Sequence, residues 1–224
     1  MLLTIPNVLN DEELAVAHDL LGKGDFVDGR LSAGIEARSV KHNLELDGRD
    51  ANISMLNNLV MGNLVKHPMY QNAAMPLKIA SPYYAKYTSG MAYGDHIDDP
   101  LMGPGQQRYR SDVATTIFLN APDEYDGGEL IIGGSFGERS VKLDAGSAVV
   151  YSASSTHRVN EVTRGERLVA VTWCQSMVRD AAQRELLYNL MLARDSLIAE
   201  DAEADTTRRV SNAYTNLVRM WAEV

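Results

Sequence analysis

A single cysteine, Cys174, stands in a chain of 224 residues. No disulfide can form within the chain, and Cys174, set in the apolar stretch from Leu168, reads as a small buried hydrophobe. No apolar run reaches the roughly 20 residues that a membrane-spanning helix needs. The opening segment Met1-Leu2-Leu3-Thr4-Ile5-Pro6 carries no basic residue and meets acid by Asp11, so no signal peptide is expected. Basic residues are outnumbered, 21 against 30, for a formal net charge of −9. A surface so short of cations does not suit nucleic acid, and the excess acid serves solubility. Internal repeats and low-complexity segments are also missing. These absences point to a soluble cytoplasmic protein in a reducing setting, with neither nucleic acid nor membrane as partner.

What is present suffices for a real core, since 45% of residues are apolar. The length fits one domain with a decorated core. Asn10 with Glu13 three residues on is a capping-box signature, and Leu14, Ala17 and Leu21 give that helix its apolar face until Gly22 and Gly24 end it. Val40, Leu44 and Leu46 share one phase of a period-2 pattern and predict a strand. Ile53, Leu56, Val60 and Leu64 predict a second helix, closed by Pro68. From about Pro76 short β-prone runs follow one another: Leu77 to Tyr87, Asp112 to Asn120, Glu129 to Ile132, Ser140 to Leu143, Ser147 to Ser152, Arg158 to Val162 and Arg167 to Cys174. Strands at this spacing suggest a sandwich or barrel rather than a βαβ fold. After Gln175 the pattern turns helical. Leu186, Leu190 and Leu197 mark one helix, acidic residues from Glu200 to Asp205 break it, and Val210, Tyr214, Leu217 and Trp221 stripe another. That stripe fits packing against the core or the seam of a homodimer. The expected layout is supporting helices and strands over 1–75, a β core over 76–177 and a helical extension over 178–224.

The chemistry sits in the β-rich part. His96-Ile97-Asp98 and His157 supply two imidazoles and a carboxylate, the facial-triad set that holds non-haem Fe(II) and leaves coordination positions open. On a strand, residues two apart point to one face, so His96 and Asp98 can reach one metal. The loop-like run Gly90 to Asp95 places them at a strand mouth. His157 follows the strand Ser147 to Ser152 by a short polar turn, and a jelly roll brings such distant residues together. Asp95 and Asp99 lack the two-residue spacing to His96. His18, His42 and His67 read as a helix-surface, a strand-resident and a helix-end residue. Arg167, ten residues past His157, is a fixed cation suited to gripping a carboxylate through two parallel hydrogen bonds. Tyr87 ends a strand nine residues before His96, and its phenol either donates to the same carboxylate or serves only packing.

The run Tyr87…His96-x-Asp98…His157-x9-Arg167, ending in Val171-Thr172-Trp173, resembles the prolyl-4-hydroxylase-like branch of the Fe(II)/2-oxoglutarate dioxygenases. Within that branch the whole chain looks like the PKHD-type hydroxylases. The segments Leu119-Asn120…Tyr125-Asp126-Gly127-Gly128-Glu129-Leu130 and Ala145-Gly146-Ser147-Ala148-Val149 are similar too, as is the helical tail. The resemblance implies a double-stranded β-helix (jelly-roll) core with flanking helices. It also implies Fe(2+) on His96, Asp98 and His157, 2-oxoglutarate on Arg167 with help from Tyr87, O2 as oxidant and a need for L-ascorbate. The expected reaction hydroxylates a small molecule or peptide with release of succinate and CO2. It does not fix the substrate as proline. The alternative reading is a cupin-like metalloenzyme that uses no 2-oxoglutarate, in which Arg167 would be structural.

Overall fold

The computed structural model describes all 224 residues. Two antiparallel sheets face each other. The larger runs Leu2–Ile5, Ala148–Ser152, Val113–Phe118, Glu166–Ser176, Tyr83–Thr88, Leu44–Leu46, Phe26–Asp28, and Pro76–Ile79 pairs beside the far end of Glu166–Ser176. The smaller runs Gly137–Val141, Leu130–Gly134, His157–Val159, Ala92–His96, Lys41–His42. This is the jelly-roll architecture expected. The chain crosses between sheets repeatedly, so residues far apart in sequence become strand neighbours.

Alternation along the strands builds two cores. On the outer face of the larger sheet, Leu168, Ala170 and Cys174 join Val113, Ile117, Ala148 and Val150 beneath the helices Asp11–Gly22, Ile53–Leu64 and Pro68–Ala74. On the inner face, Val169 joins Ala85, Tyr87, Ala114, Phe118, Val149 and Tyr151 against Leu130, Ile132 and Val159 of the smaller sheet. Val113–Phe118 is buried along its whole length because it lies between both cores.

The helices follow their local signals. Asn10 caps Asp11–Gly22: its side chain accepts from the Glu13 backbone N–H, and the Glu13 carboxylate accepts from the Asn10 N–H. Pro68 does more than close Ile53–Leu64. It occupies the first turn of the next helix, Pro68–Ala74, with His67 at its N-cap, because a residue without an N–H loses nothing there. The alternation Val40, Leu44, Leu46 is not one strand. Lys41–His42 joins the smaller sheet and Leu44–Leu46 the larger, and Val40 is exposed. The period-2 signal there marks a crossover, and it turns Lys41 and Glu45 inward.

The tail folds back as two helices, Ala181–Asp201 and Asp205–Trp221. Tyr214, Leu217, Val218 and Trp221 pack on buried Met75, Val178 and Leu187. The first helix buries Arg184, Leu187, Tyr188 and Met191, whereas Leu186 is 60% exposed, so the expected leucine face is displaced by about one residue. The displacement has a cause in Arg184. Its guanidinium turns into the protein and donates to the carbonyls of Val178 and Arg179 at 2.7 and 2.8 Å, and Leu187, Tyr188 and Met191, three, four and seven residues on, share its face. No helix is long and apolar enough to cross a membrane.

The tail is thus part of the packed structure. Replacing Leu187, 1% exposed, with alanine should lower stability by about 2–5 kcal/mol through lost burial and a residual cavity. A shifted urea midpoint with unchanged slope is the expected result. An unchanged midpoint would mean that the helices hang free of the core.

Candidate metal centre

His96 and His157 are direct cross-strand partners in the smaller sheet, with ring centroids 4.2 Å apart. Asp98 lies two residues past the end of Ala92–His96, and its Oδ1 stands 3.8 Å from His157 Nε2. One ligand atom from each of the three residues falls within 4.8 Å of the others. The segment before His96 is a strand and not the loop expected: Tyr93 pairs with both Lys41 and Val159. The two-residue spacing and the strand's inward face therefore cooperate.

Each imidazole is oriented by its own chain. His96 Nδ1 is 2.8 Å from the Gly94 carbonyl, and His157 Nδ1 is 2.9 Å from that of Ser155. A carbonyl only accepts, so Nδ1 carries the proton in both rings and Nε2 keeps its lone pair for a metal. Burial, and then His157, push His96 down to about 4, so it is neutral at physiological pH. Tyr93 stacks on the His96 ring at 3.7 Å, and the Tyr151 ring meets His157 edge-on at 5.3 Å. Burial raises Asp98 above the usual carboxylate range, against the opposing pull of His157 and of a hydrogen bond from Trp173. That indole Nε1 donates to Asp98 Oδ2 at 2.8 Å, which leaves Oδ1 turned toward His157.

Arg167 stands on the inner face of the opposing sheet, paired in register with Tyr87. It is 1% exposed, its Nε has no hydrogen-bond partner, and it enters none of the ion pairs. The guanidinium carbon lies 5.1 Å from the Tyr87 ring centroid and 5.6 Å from that of Phe118. Gly128 gives it room, because a Cβ there would come within 3.0 Å of Arg167 Cδ. A buried cation without a counter-ion is costly, and an anion bound beside it would offset that cost. Tyr87 is pushed up to about 12 by burial, with Arg167 pulling it back, and it stays a phenol able to donate. His96, Asp98, His157, Arg167 and Tyr87 all line one cavity of about 1440 Å³. The donor set and the orphaned cation thus fit a divalent metal together with a small carboxylate-bearing ligand.

The remaining candidates fall elsewhere. Asp95 is exposed and meets Arg158 at 3.3 Å. His42 is exposed on its strand, and His18 Nε2 ties its helix to the Leu119 carbonyl at 2.7 Å. Sequence reading assigned no role to Trp173, although a signal existed. Arg167, Val169, Val171 and Trp173 share one phase of a single strand, so Trp173 faces the same interior as Arg167.

Comparison with known proteins agrees with this geometry. Residues 82–175 match the 2OG-Fe(II) oxygenase superfamily, and residues 181–223 match the PKHD-type hydroxylase C-terminal domain. A PKHD-type hydroxylase of Thioalkalivibrio sulfidiphilus is 50% identical over the full length of both chains, and one of Acaryochloris marina is 46% identical over the full length of both. Among solved structures, a Pseudomonas putida prolyl-4-hydroxylase is 17% identical. The similarity covers 78% of this chain and 92% of that one, at a TM-score of 0.55. A Trichoplax adhaerens prolyl hydroxylase, in complex with a hypoxia inducible factor peptide fragment, is also 17% identical. There it covers 83% and 86% of the two chains at a TM-score of 0.56.

Two expectations follow for metal binding measured by calorimetry with Fe(II) or Ni(II). Alanine at His96, Asp98 or His157 should remove tight binding, whereas His42→Ala should leave it intact. Trp173→Phe should weaken it by roughly 10- to 100-fold, the usual penalty for losing an outer partner of a ligand. Undiminished affinity in His157→Ala would sink the assignment.

Proposed function

Because this chain belongs to the PKHD-type hydroxylases of the 2OG-Fe(II) oxygenase superfamily, we propose that His96, Asp98 and His157 hold its iron and that Arg167, assisted by Tyr87, grips 2-oxoglutarate. The protein is an Fe(II)- and 2-oxoglutarate-dependent dioxygenase that uses O2. Bound in the site, the metal with its keto acid and O2 supplies hydroxylation of a substrate C–H bond, with release of succinate and CO2.

The chain's own residues prepare that chemistry. His96, Asp98 and His157 would hold the metal from one side and leave the other side of it open to the cavity. Asp98 with the keto-acid carboxylate offsets the charge of a divalent ion. Arg167 would meet the distal carboxylate through its guanidinium fork, and the neutral Tyr87 phenol would add a further donor. The observation that carries this reading is the Arg167 guanidinium, buried without a counter-ion in the same cavity as the three metal donors. The apolar inner face around it, with Phe118, Val149 and Val169, limits water near the reacting groups. We assign to L-ascorbate the return of oxidised metal to Fe(II), and to the reducing cytoplasm the place of work. The cavity admits a small molecule or a peptide side chain as substrate.

The test is the visible band that Fe(II) and 2-oxoglutarate develop together under anaerobic conditions, titrated with the keto acid. Arg167→Ala should weaken 2-oxoglutarate by roughly 30- to several-thousand-fold, from about 2–5 kcal/mol for breaking a desolvated charge pair, with metal affinity nearly unchanged. Arg167→Lys should recover part of the loss, since an ammonium lacks the planar fork. Tyr87→Phe should cost less, about 1–3 kcal/mol for one hydrogen bond to a charged group. An Arg167→Ala protein that binds the keto acid as well as wild type overturns the reading in favour of a metalloenzyme without 2-oxoglutarate.

A further inference from the structure

The metal donors and Arg167 leave most of the cavity unexplained. Its lining also includes Lys41, Asn43 and Glu45 and the rings of Tyr83, Tyr93 and Tyr109. Glu45 pairs in register with Ala85, two residues from Tyr87 on the same inner face, so it stands roughly 7 Å along the strands from the Tyr87–Arg167 pair. Lys41 Nζ donates to Glu45 Oε1 at 2.5 Å and to Ser32 Oγ at 2.9 Å, and it lies 5.2 Å from the Tyr93 ring centroid. Tyr93 is the residue stacked on His96.

This ion pair is not there for stability alone. Taking two charges out of water costs several kcal/mol per ion, and well-packed apolar residues commonly serve a core as well or better. The two carboxylates of the cavity with almost fully covered side chains are Asp98, at 6%, and Glu45, at 10%. Asp98 belongs to the metal donors. Lys41 takes one oxygen of Glu45, and the other, Oε2, makes no protein hydrogen bond and is not sealed from the cavity. A carboxylate oxygen accepts and never donates. The Tyr83 ring lines the same cavity, while the Tyr93 ring is already engaged by His96, stacked at 3.7 Å, and by Lys41 at 5.2 Å. The Asn43 amide, 2% exposed, has neither its nitrogen nor its oxygen partnered.

We propose that Glu45, held in place by Lys41, is the specificity-determining residue of the site and binds a protonated amine or guanidinium nitrogen of the substrate. This rests on the dioxygenase reading and names its substrate class: a molecule or peptide side chain carrying a cationic nitrogen beside the carbon to be hydroxylated. Arg167 then anchors the anionic co-substrate, and Glu45, roughly 7 Å along the strands from the Tyr87–Arg167 pair, anchors the cationic substrate.

The test compares three probes of one shape on the Fe(II)- and 2-oxoglutarate-loaded protein kept anaerobic: tryptamine, tryptophol and indole-3-acetate. The visible band is read first, and its absence in wild type counts against the dioxygenase reading itself. With the band present, calorimetry should show tryptamine binding at least about tenfold tighter than tryptophol, the margin of a charge-assisted hydrogen bond. Indole-3-acetate should bind most weakly. Glu45→Gln should bring the amine and alcohol close to parity, and Glu45→Asp should keep part of the preference. Equal binding of the three probes by wild type, or binding of none, overturns the proposal. So does a preference for the amine that survives in Glu45→Gln, which would place the nitrogen on the metal or elsewhere.

Discussion

The site depends on one strand pairing. Ala92–His96 lies against His157–Val159 with His96 opposite His157. Side chains alternate faces with a period of two, so a slip of one residue would carry one histidine to the far side of the sheet and dismantle the donor set. The pairing is held from both sides. Leu130–Gly134 pairs with the second strand and Lys41–His42 with the first. The ring of Tyr93 locks onto His96 from within the same strand. The register is irregular between His157 and Val159, a bulge of the kind that re-aims a side chain beside a functional site.

The opposing sheet meets that arrangement with charge. Arg167 would be a liability in an ordinary core, since nothing in the protein neutralises it. Its neighbours make room for it: Gly128 has no Cβ, and the Tyr87 and Phe118 rings offer their faces. Lys41 and Glu45 repeat the theme farther along the cavity with a charge pair that still leaves one oxygen free. The interior is apolar where the sheets touch and charged where the cavity opens. That division separates the residues that hold the fold from those that meet ligands.

Much of this was legible in the sequence, and the failures have physical causes. The His96-x-Asp98 spacing, His157 and Arg167 stand out by residue type, and the fold brings all four to one cavity. The Asn10–Glu13 cap stood out because it is local, and it formed as read. What failed depended on tertiary partners. Val40, Leu44 and Leu46 share a phase, yet the chain changes sheets between Lys41 and Leu44. Tyr93 sits in a glycine-flanked run that reads as loop, yet it gains strand neighbours on both sides. Leu186 fits a helical face, yet the buried face is the one that Arg184 shares with Leu187, Tyr188 and Met191, where its guanidinium meets two backbone carbonyls. The helix Ile53–Leu64 ends before Pro68 as expected, and the same proline also opens the next helix, where its missing N–H loses nothing.

One part of the site is encoded locally even though the site as a whole is not. His96 donates from Nδ1 to the carbonyl of Gly94 and His157 to that of Ser155, in each case two residues earlier on its own chain. Such a bond needs no distant partner, so it forms as soon as the backbone there becomes extended. It fixes both the tautomer and the ring direction before any ligand arrives. Long-range pairing then has only to bring two pre-oriented rings together, and the Trp173 indole sets the third donor by taking the outer oxygen of Asp98. Orientation thus comes from short-range contacts and proximity from the β topology. The helical tail contributes to neither directly, since its apolar stripe is spent on Met75, Val178 and Leu187 at the outside of the fold.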